Sequence, residues 1–513
     1  MQSSASLLKN FHLLFSLISH SMNIVDLVVF LIFTVGTIMF GYLFGRKKQS
    51  SEEFTRGGGK VPGWVVGLSI FASFCSSISF LGYCSSAFMG NWNAFVFTIS
   101  ILPAGLLAMR YFVPFYRSLG SISAYSFFEK RFGRWARLYA SVFYLFTQVC
   151  RSGAILFLLA VPMNVLMGWS IPLVVTFTGI GIILYSQKGG LKSVIWTEAL
   201  QGAILIVGAV ICLFMLFRGM PEGPGQALKI CMENNKFSLG SFGDSLVEST
   251  FWVCLIYGMF TNLNNFAIDQ SYTQRYCAAP SLSEARKSAF WGSLLTLPVN
   301  LILFLIGSCL FAFYQVHPDS LPEGIKSDYV FPYFIINELP VGLIGLLIAS
   351  IFCAGMSTVA TSVTSSGTIV LTDFYSHFFP NASDEKKVIV LRLASVAVGI
   401  LGIGVALCFL LVDNALDAWW ALSSVCSGGV LGMFLLAYLC PKAKKHHVVP
   451  GVIIGVASLI LIALQTKLTD WWNIPQFVHI NLSIVISTLL IFFVGFLLVQ
   501  FAGKDKEPQA VTD

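Results

Sequence analysis

Charge is what this sequence has least of. Only 11% of its 513 residues are Asp, Glu, Lys or Arg, against about 25% in soluble globular proteins. So few charges cannot cover the surface of a soluble domain of this length. Paired cysteines are missing too: the twelve Cys are scattered singly, without a C-x-x-C, and all but Cys231 fall within or at the ends of apolar runs. That pattern argues against a disulfide or metal framework. Neither H-E-x-x-H nor a Ser/His/Asp arrangement occurs among the seven His, so a membrane hydrolase, or any enzyme built on a nucleophile–base pair, is not expected. The net charge of +7 is modest and spread over short loops, which argues against a nucleic-acid partner. The strands of a membrane barrel would alternate apolar and polar residues over about ten positions, and no such alternation is present.

What the chain does have is apolar length. Hydrophobic residues make up 56% of it, in runs of about 18–28 residues, the length of bilayer-spanning helices. The runs predict an all-α polytopic membrane protein with thirteen transmembrane helices. A leading helix covers 24–44, five spans lie within 63–217, five within 247–440 and two within 448–502. Residues 1–23 read as an N-terminal extension, with Met22 as the expected start, and 503–513 as a tail. In alternate loops, 24 of the 31 basic residues fall on one side. By the positive-inside rule this side is cytoplasmic, which puts the N-terminus outside and the C-terminus inside a plasma or inner membrane.

Two spans differ from the rest. The second carries Ser69, Ser73, Ser76, Ser77 and Ser79 at mid-membrane depth, and the seventh carries Thr261, Asn262, Asn264 and Asn265. Such residues can bond their own backbone or a neighbouring helix. The two spans also lie five positions apart in the series, and interrupted helices at matching places in two five-helix halves point to a transporter's midplane binding site. The stretch CAGMSTVATSVTSSG at 353–367 adds Ser357, Thr358, Thr361, Thr364 and Ser365, several of them on one helix face. Neutral oxygens of this kind suit a hard monovalent cation such as Na⁺; the same small residues also suit close helix packing.

Arg151 is the one basic residue deep in a predicted span. A charge at that depth costs about 2.5–3.5 kcal/mol on insertion scales, and no acidic residue lies within a turn of it. Either it pairs with carbonyls at a broken helix, or its guanidinium fork receives a substrate carboxylate.

The segment GWSIPLVVTFTGIGIILYSQKGGLKSVIWTEALQ at 168–201 resembles the sodium:solute symporter family, including the signature Y-S-x-x-G-G-L-x-S from Tyr185 to Ser193. EEFTRGGGKVPGW (52–64), SAYSFFEKRFG (123–133) and the D-Q-x-x-x-Q-R of Asp269, Gln270, Gln274 and Arg275 agree with it, and the match runs in order from about 24 to 440. The resemblance implies the leucine-transporter fold, with two inverted five-helix repeats, two interrupted helices and alternating access. It also implies a main sodium site made of the Ala72, Cys75 and Ala354 carbonyls and the Ser357 and Thr358 hydroxyls.

A second sodium site, found in some members, needs a carboxylate in a W-T-D motif. Here that motif reads Trp196-Thr197-Glu198, one methylene longer. The site also needs hydroxyls at positions matching Ser357, Ala360 and Thr361, and Ala360 has none. Glu198 and Thr361 are the residues that would carry it; alternatively, Glu198 carries a proton or sits at a cytoplasmic helix end.

Sialic acid transporters of the family have an Arg matching Arg151 and small hydroxyl residues on the first core helix. The matching positions are Phe74, Ser76 and Ser79, with Phe74 a departure, and a Gln of the second core helix is Thr98 here. Sugar-transporting relatives have a Tyr where Asn265 stands, while Asn262 is retained. The expected function is therefore Na⁺-coupled import of a small hydrophilic solute, sialic acid or another sugar acid first, with other monocarboxylates next. A neutral sugar, polyol or amino acid is the alternative. The expected partners are this small molecule, anionic by the Arg151 argument, and the lipid bilayer; nothing points to an obligatory protein partner. A sensor fused to a signalling domain is not expected, because only about ten residues follow the last span.

Overall fold

The computed structural model describes residues 23–44, 55 and 57–502. The expected extension before residue 23, the basic loop at Arg46–Lys48 and the tail at 503–513 lie outside the described residues, apart from the extension's last residue, Asn23. Every regular element among the described residues is helical. Those that position the site are α1 (Ile24–Phe44), α2 (Gly63–Phe74), α3 (Tyr83–Met89), α4 (Arg134–Met167), α5 (Ile171–Arg218), α6 (Phe251–Ile268), α7 (Gln270–Ala278), α8 (Leu282–Val316), α9 (Leu343–Ile369), α10 (Asp384–Cys408), α11 (Ala415–Cys426) and α12 (Val430–Leu439).

By length and composition, ten described helices can cross a membrane, or twelve if each of two bent pairs is one span. The remaining expected span, 171–187 in the first five-helix half, holds a shorter apolar helix, Ile171–Leu184. It runs into the next span as part of α5, and the two are separated only by Gly190 at φ 59 and ψ −176. That backbone conformation is open to glycine alone, so the chain turns there without a loop.

Both polar spans are interrupted, though not in the same way. α2 ends at Phe74, and the chain resumes at a 52° angle after Cys75 and Ser76. Serine hydroxyls compete for the backbone here: Ser73 Oγ donates to the Ser69 carbonyl at 3.0 Å and Ser79 Oγ to the Phe74 carbonyl at 2.7 Å. In α6 the helix runs unbroken through Thr261–Asn265, and the break falls later, at Asp269 (φ −69, ψ 122). Asp269 then caps α7, accepting from the Ser271 N–H at 2.7 Å.

α9 is the central helix, with 83% of its span window buried against 24% for α1. It packs against α1, α4, α5 and α10. Its first turn is capped from another helix: the buried Asp26 carboxylate of α1 accepts from the Gly342 and Gly345 N–H groups at 2.7 and 2.9 Å. A carboxylate at a helix N-terminus satisfies orphan donors and the helix dipole together. A Cβ on Gly345 would lie 2.2 Å from the Asp26 carbonyl oxygen, so the helices approach this closely only with glycine there.

Candidate functional site

A cavity with about 110 Å³ of room for the centres of water-sized molecules lies where the α2 break faces α4, α6 and α11. Of the expected substrate residues, Phe74, Ser76, Ser79, Arg151 and Asn265 line it. Thr98 and Asn262 do not. Asn262 Nδ2 donates to Ser100 Oγ at 2.9 Å, and the Thr98 hydroxyl accepts from Asn300 Nδ2 at 3.1 Å, so both serve helix packing.

The α2 break explains where Arg151 goes. A helix end leaves its last carbonyls without partners. The Cys75 N–H closes the ladder on the Phe71 carbonyl at 2.9 Å. Beyond it, Arg151 Nη2 takes the Ser73 carbonyl at 2.6 Å and Ser79 Oγ takes the Phe74 carbonyl. Arg151 thus meets a broken-helix carbonyl and lines the cavity at the same time. Among the described residues, it forms no ion pair.

Two further carbonyls of this break, those of Ala72 and Cys75, accept none of the backbone turn and cap hydrogen bonds found among the described residues. They are the two that the resemblance assigned to sodium. On α9, which touches α2, Ser357 Oγ and Thr358 Oγ1 both point at the Ala354 carbonyl, at 3.1 and 3.0 Å. All five residues are buried. Carbonyls and hydroxyls are the neutral oxygen donors that a hard monovalent cation takes.

Glu198 and Thr361 also come together, with Thr361 Oγ1 donating to Glu198 Oε1 at 2.7 Å. Glu198 is not at a helix end facing water. It is fully buried and ion-paired at 2.7 Å with Arg275, which is equally buried. Arg275 is therefore a buried counterion and not a solvated loop charge.

Sequence reasoning did not place Gln148 or Trp420 in the site, although it did put Thr261 and Asn264 at the depth of a binding site. Gln148, one turn before Arg151 on α4, has a buried Oε1 without a partner, as have Thr261 Oγ1 and Asn264 Oδ1. The i, i+3 spacing to Arg151 was the available signal for Gln148. Gln148 Nε2 donates to Asp269 Oδ2 at 3.1 Å, linking α4 to the α6–α7 hinge. Trp420 of α11 lines this cavity and also a second one of about 560 Å³ that reaches Asn91, Ser249 and His479. Its ring stacks on Phe97 at 5.2 Å and lies 5.5 Å from Tyr257, so an aromatic wall separates the two spaces. Burial pushes the His479 imidazole below its usual pKa, which keeps it neutral at neutral pH.

The chain is 29% identical over 471 residues to the sodium/sialic acid symporter NanT of Aliivibrio fischeri, covering 90% of each chain. It is 30% identical over 428 residues to the human sodium-coupled monocarboxylate transporter 2, covering 82% of this chain and 68% of that one. A solved structure of a Na⁺-coupled sialic acid symporter, in a substrate-bound outward-open state, superposes with a TM-score of 0.85 at 26% identity, over 93% of this chain and 98% of that chain. Residues 54–455 match the sodium:solute symporter family, and the chain belongs to that family.

Proposed function

We propose that this sodium-coupled transporter of a small solute imports sialic acid or a closely related sugar acid by alternating access. The observation that carries the reading is Arg151. It is a cation at the wall of a polar cavity, held by one backbone carbonyl and by no carboxylate among the described residues. An anionic solute supplies the missing countercharge, and a guanidinium meets a carboxylate in bidentate geometry. The partnerless oxygens of Gln148, Thr261 and Asn264 suit the hydroxyls and amide of a sugar acid. Ser76, Ser79 and Asn265 line the same space, and the similarity to a sodium/sialic acid symporter agrees with this substrate.

Co-transported Na⁺ is assigned to Ala72, Cys75, Ala354, Ser357 and Thr358. The two repeats are taken as 63–217 and 247–440, with the C-terminus cytoplasmic and the Trp420 wall toward the outside. One observation favours a smaller monocarboxylate as a second reading. The Phe74 ring, packed at 5.3 and 5.0 Å from Phe266 and Tyr272, presents an apolar surface at the position where this chain departs from the small hydroxyl residues of the family's sialic acid transporters.

The test is uptake of radiolabelled N-acetylneuraminate, lactate and glucose into proteoliposomes, with Na⁺ or with K⁺ only. Na⁺-dependent uptake of N-acetylneuraminate supports the proposal, lactate alone supports the second reading, and glucose alone overturns both.

A further inference from the structure

The Glu198 carboxylate is already enclosed by donors on both oxygens. Oε1 accepts from Thr361 Oγ1 at 2.7 Å and from Arg275 Nη2 at 2.8 Å, and Ser73 Oγ, whose proton goes to the Ser69 carbonyl, lies 3.4 Å from it. Oε2 accepts from Arg275 Nη2 at 2.7 Å and from Ser69 Oγ. Arg275 is held in turn by Nε on Ser69 Oγ at 2.9 Å and by Nη1 on the Ser271 carbonyl. Its Nη2 also lies 3.4 Å from Thr361 Oγ1. The two side chains are 0% exposed, so water does not screen them.

The carboxylate and the hydroxyl that would coordinate a second sodium ion therefore face a guanidinium. An ion placed there would share Glu198 with a fixed cation at close range, and Ala360 brings no side-chain oxygen, its carbonyl already accepting from Thr364 Oγ1 at 2.8 Å. These residues do not fit a second Na⁺.

We propose that Arg275 is a resident counter-cation that takes the place of a second sodium, so that the chain binds a single Na⁺. The extra methylene of Glu198 carries its carboxylate from α5 far enough to engage Arg275 of α7, and Ser69 and Thr361 complete the enclosure from α2 and α9. The proposal rests on sodium coupling and the main site above, and not on the identity of the solute. Drawing the carboxylate back by one methylene and restoring the missing hydroxyl should reopen the place to an ion.

The experiment is equilibrium binding of ²²Na⁺ to the purified full chain without organic solute. The wild type should bind one ion per chain, non-cooperatively, and the double variant Glu198→Asp, Ala360→Ser should bind two. Two ions on the wild type, one of them lost on Thr361→Val, would overturn the proposal, and so would a single ion on the folded double variant. The wild-type count tests it even if the double variant fails to fold. Uptake of N-acetylneuraminate by the same preparation in liposomes reads the substrate proposal separately.

Discussion

Arg151 and Ser73 meet across the break in α2: guanidinium Nη2 donates to the Ser73 carbonyl at 2.6 Å, while the same arginine lines the central cavity. One contact ties the binding cation to the interrupted helix that also supplies the Ala72 and Cys75 carbonyls. On the proposed assignments, substrate and sodium act on neighbouring peptides at the end of α2, which would be a physical basis for coupling.

Arg151→Lys keeps the charge and loses the planar fork, so it should raise the apparent KM for N-acetylneuraminate rather than preserve it. Losing a desolvated charge partner altogether costs on the order of 2–5 kcal/mol, roughly 30- to several thousand-fold in affinity. Arg151→Ala should therefore abolish uptake at micromolar substrate. Steady-state uptake kinetics check this; an unchanged KM in both variants would remove Arg151 from the site.

Ser357→Ala should weaken Na⁺ binding by about 1.5–3 kcal/mol, roughly 10- to 150-fold, the scale of a hydrogen-bond-type contact to a charge. Cys75→Ala should change much less, because its ligand is a carbonyl that survives the substitution. The Na⁺ dependence of initial uptake rates separates the two. Equal effects, or none for Ser357→Ala, would contradict the assignment.

With one Na⁺ and a monoanionic substrate, the transported charge cancels. A membrane potential is worth about 2.3 kcal/mol per charge per 100 mV, and here that contribution vanishes. Adding N-acetylneuraminate to proteoliposomes on a solid-supported membrane should give no sustained current. A steady inward positive current, abolished by Glu198→Gln, would show that a second cation crosses.

Asp26→Ala should leave the Gly342 and Gly345 N–H groups without their acceptor. Buried donors left unpaired cost about 1–3 kcal/mol, so thermal unfolding in detergent should shift several degrees downward. Asp26→Asn keeps an acceptor oxygen and should lose less. Substrate affinity of the folded variants should stay near wild type, since Asp26 does not line the cavity.

Much of this protein follows from its sequence alone. The length of the apolar runs sets an all-helical membrane class, because each span satisfies its backbone within itself. The serine-rich stretch from Ser69 to Ser79 signals a break in α2, since hydroxyls compete with the helix ladder over a few residues. The spacing of Ala354, Ser357 and Thr358 places three oxygens on one face of α9, which is local geometry.

The partners across helices were decided only by tertiary structure. Arg275 lies 77 positions from Glu198, and nothing in either segment tells a solvated loop cation from a buried counterion. Asn262 and Thr98 sit on polar faces as expected, yet those faces meet Ser100 and Asn300 instead of the cavity. Helical periodicity names the residues that share a face. Which neighbour that face meets depends on how helices distant in sequence pack together.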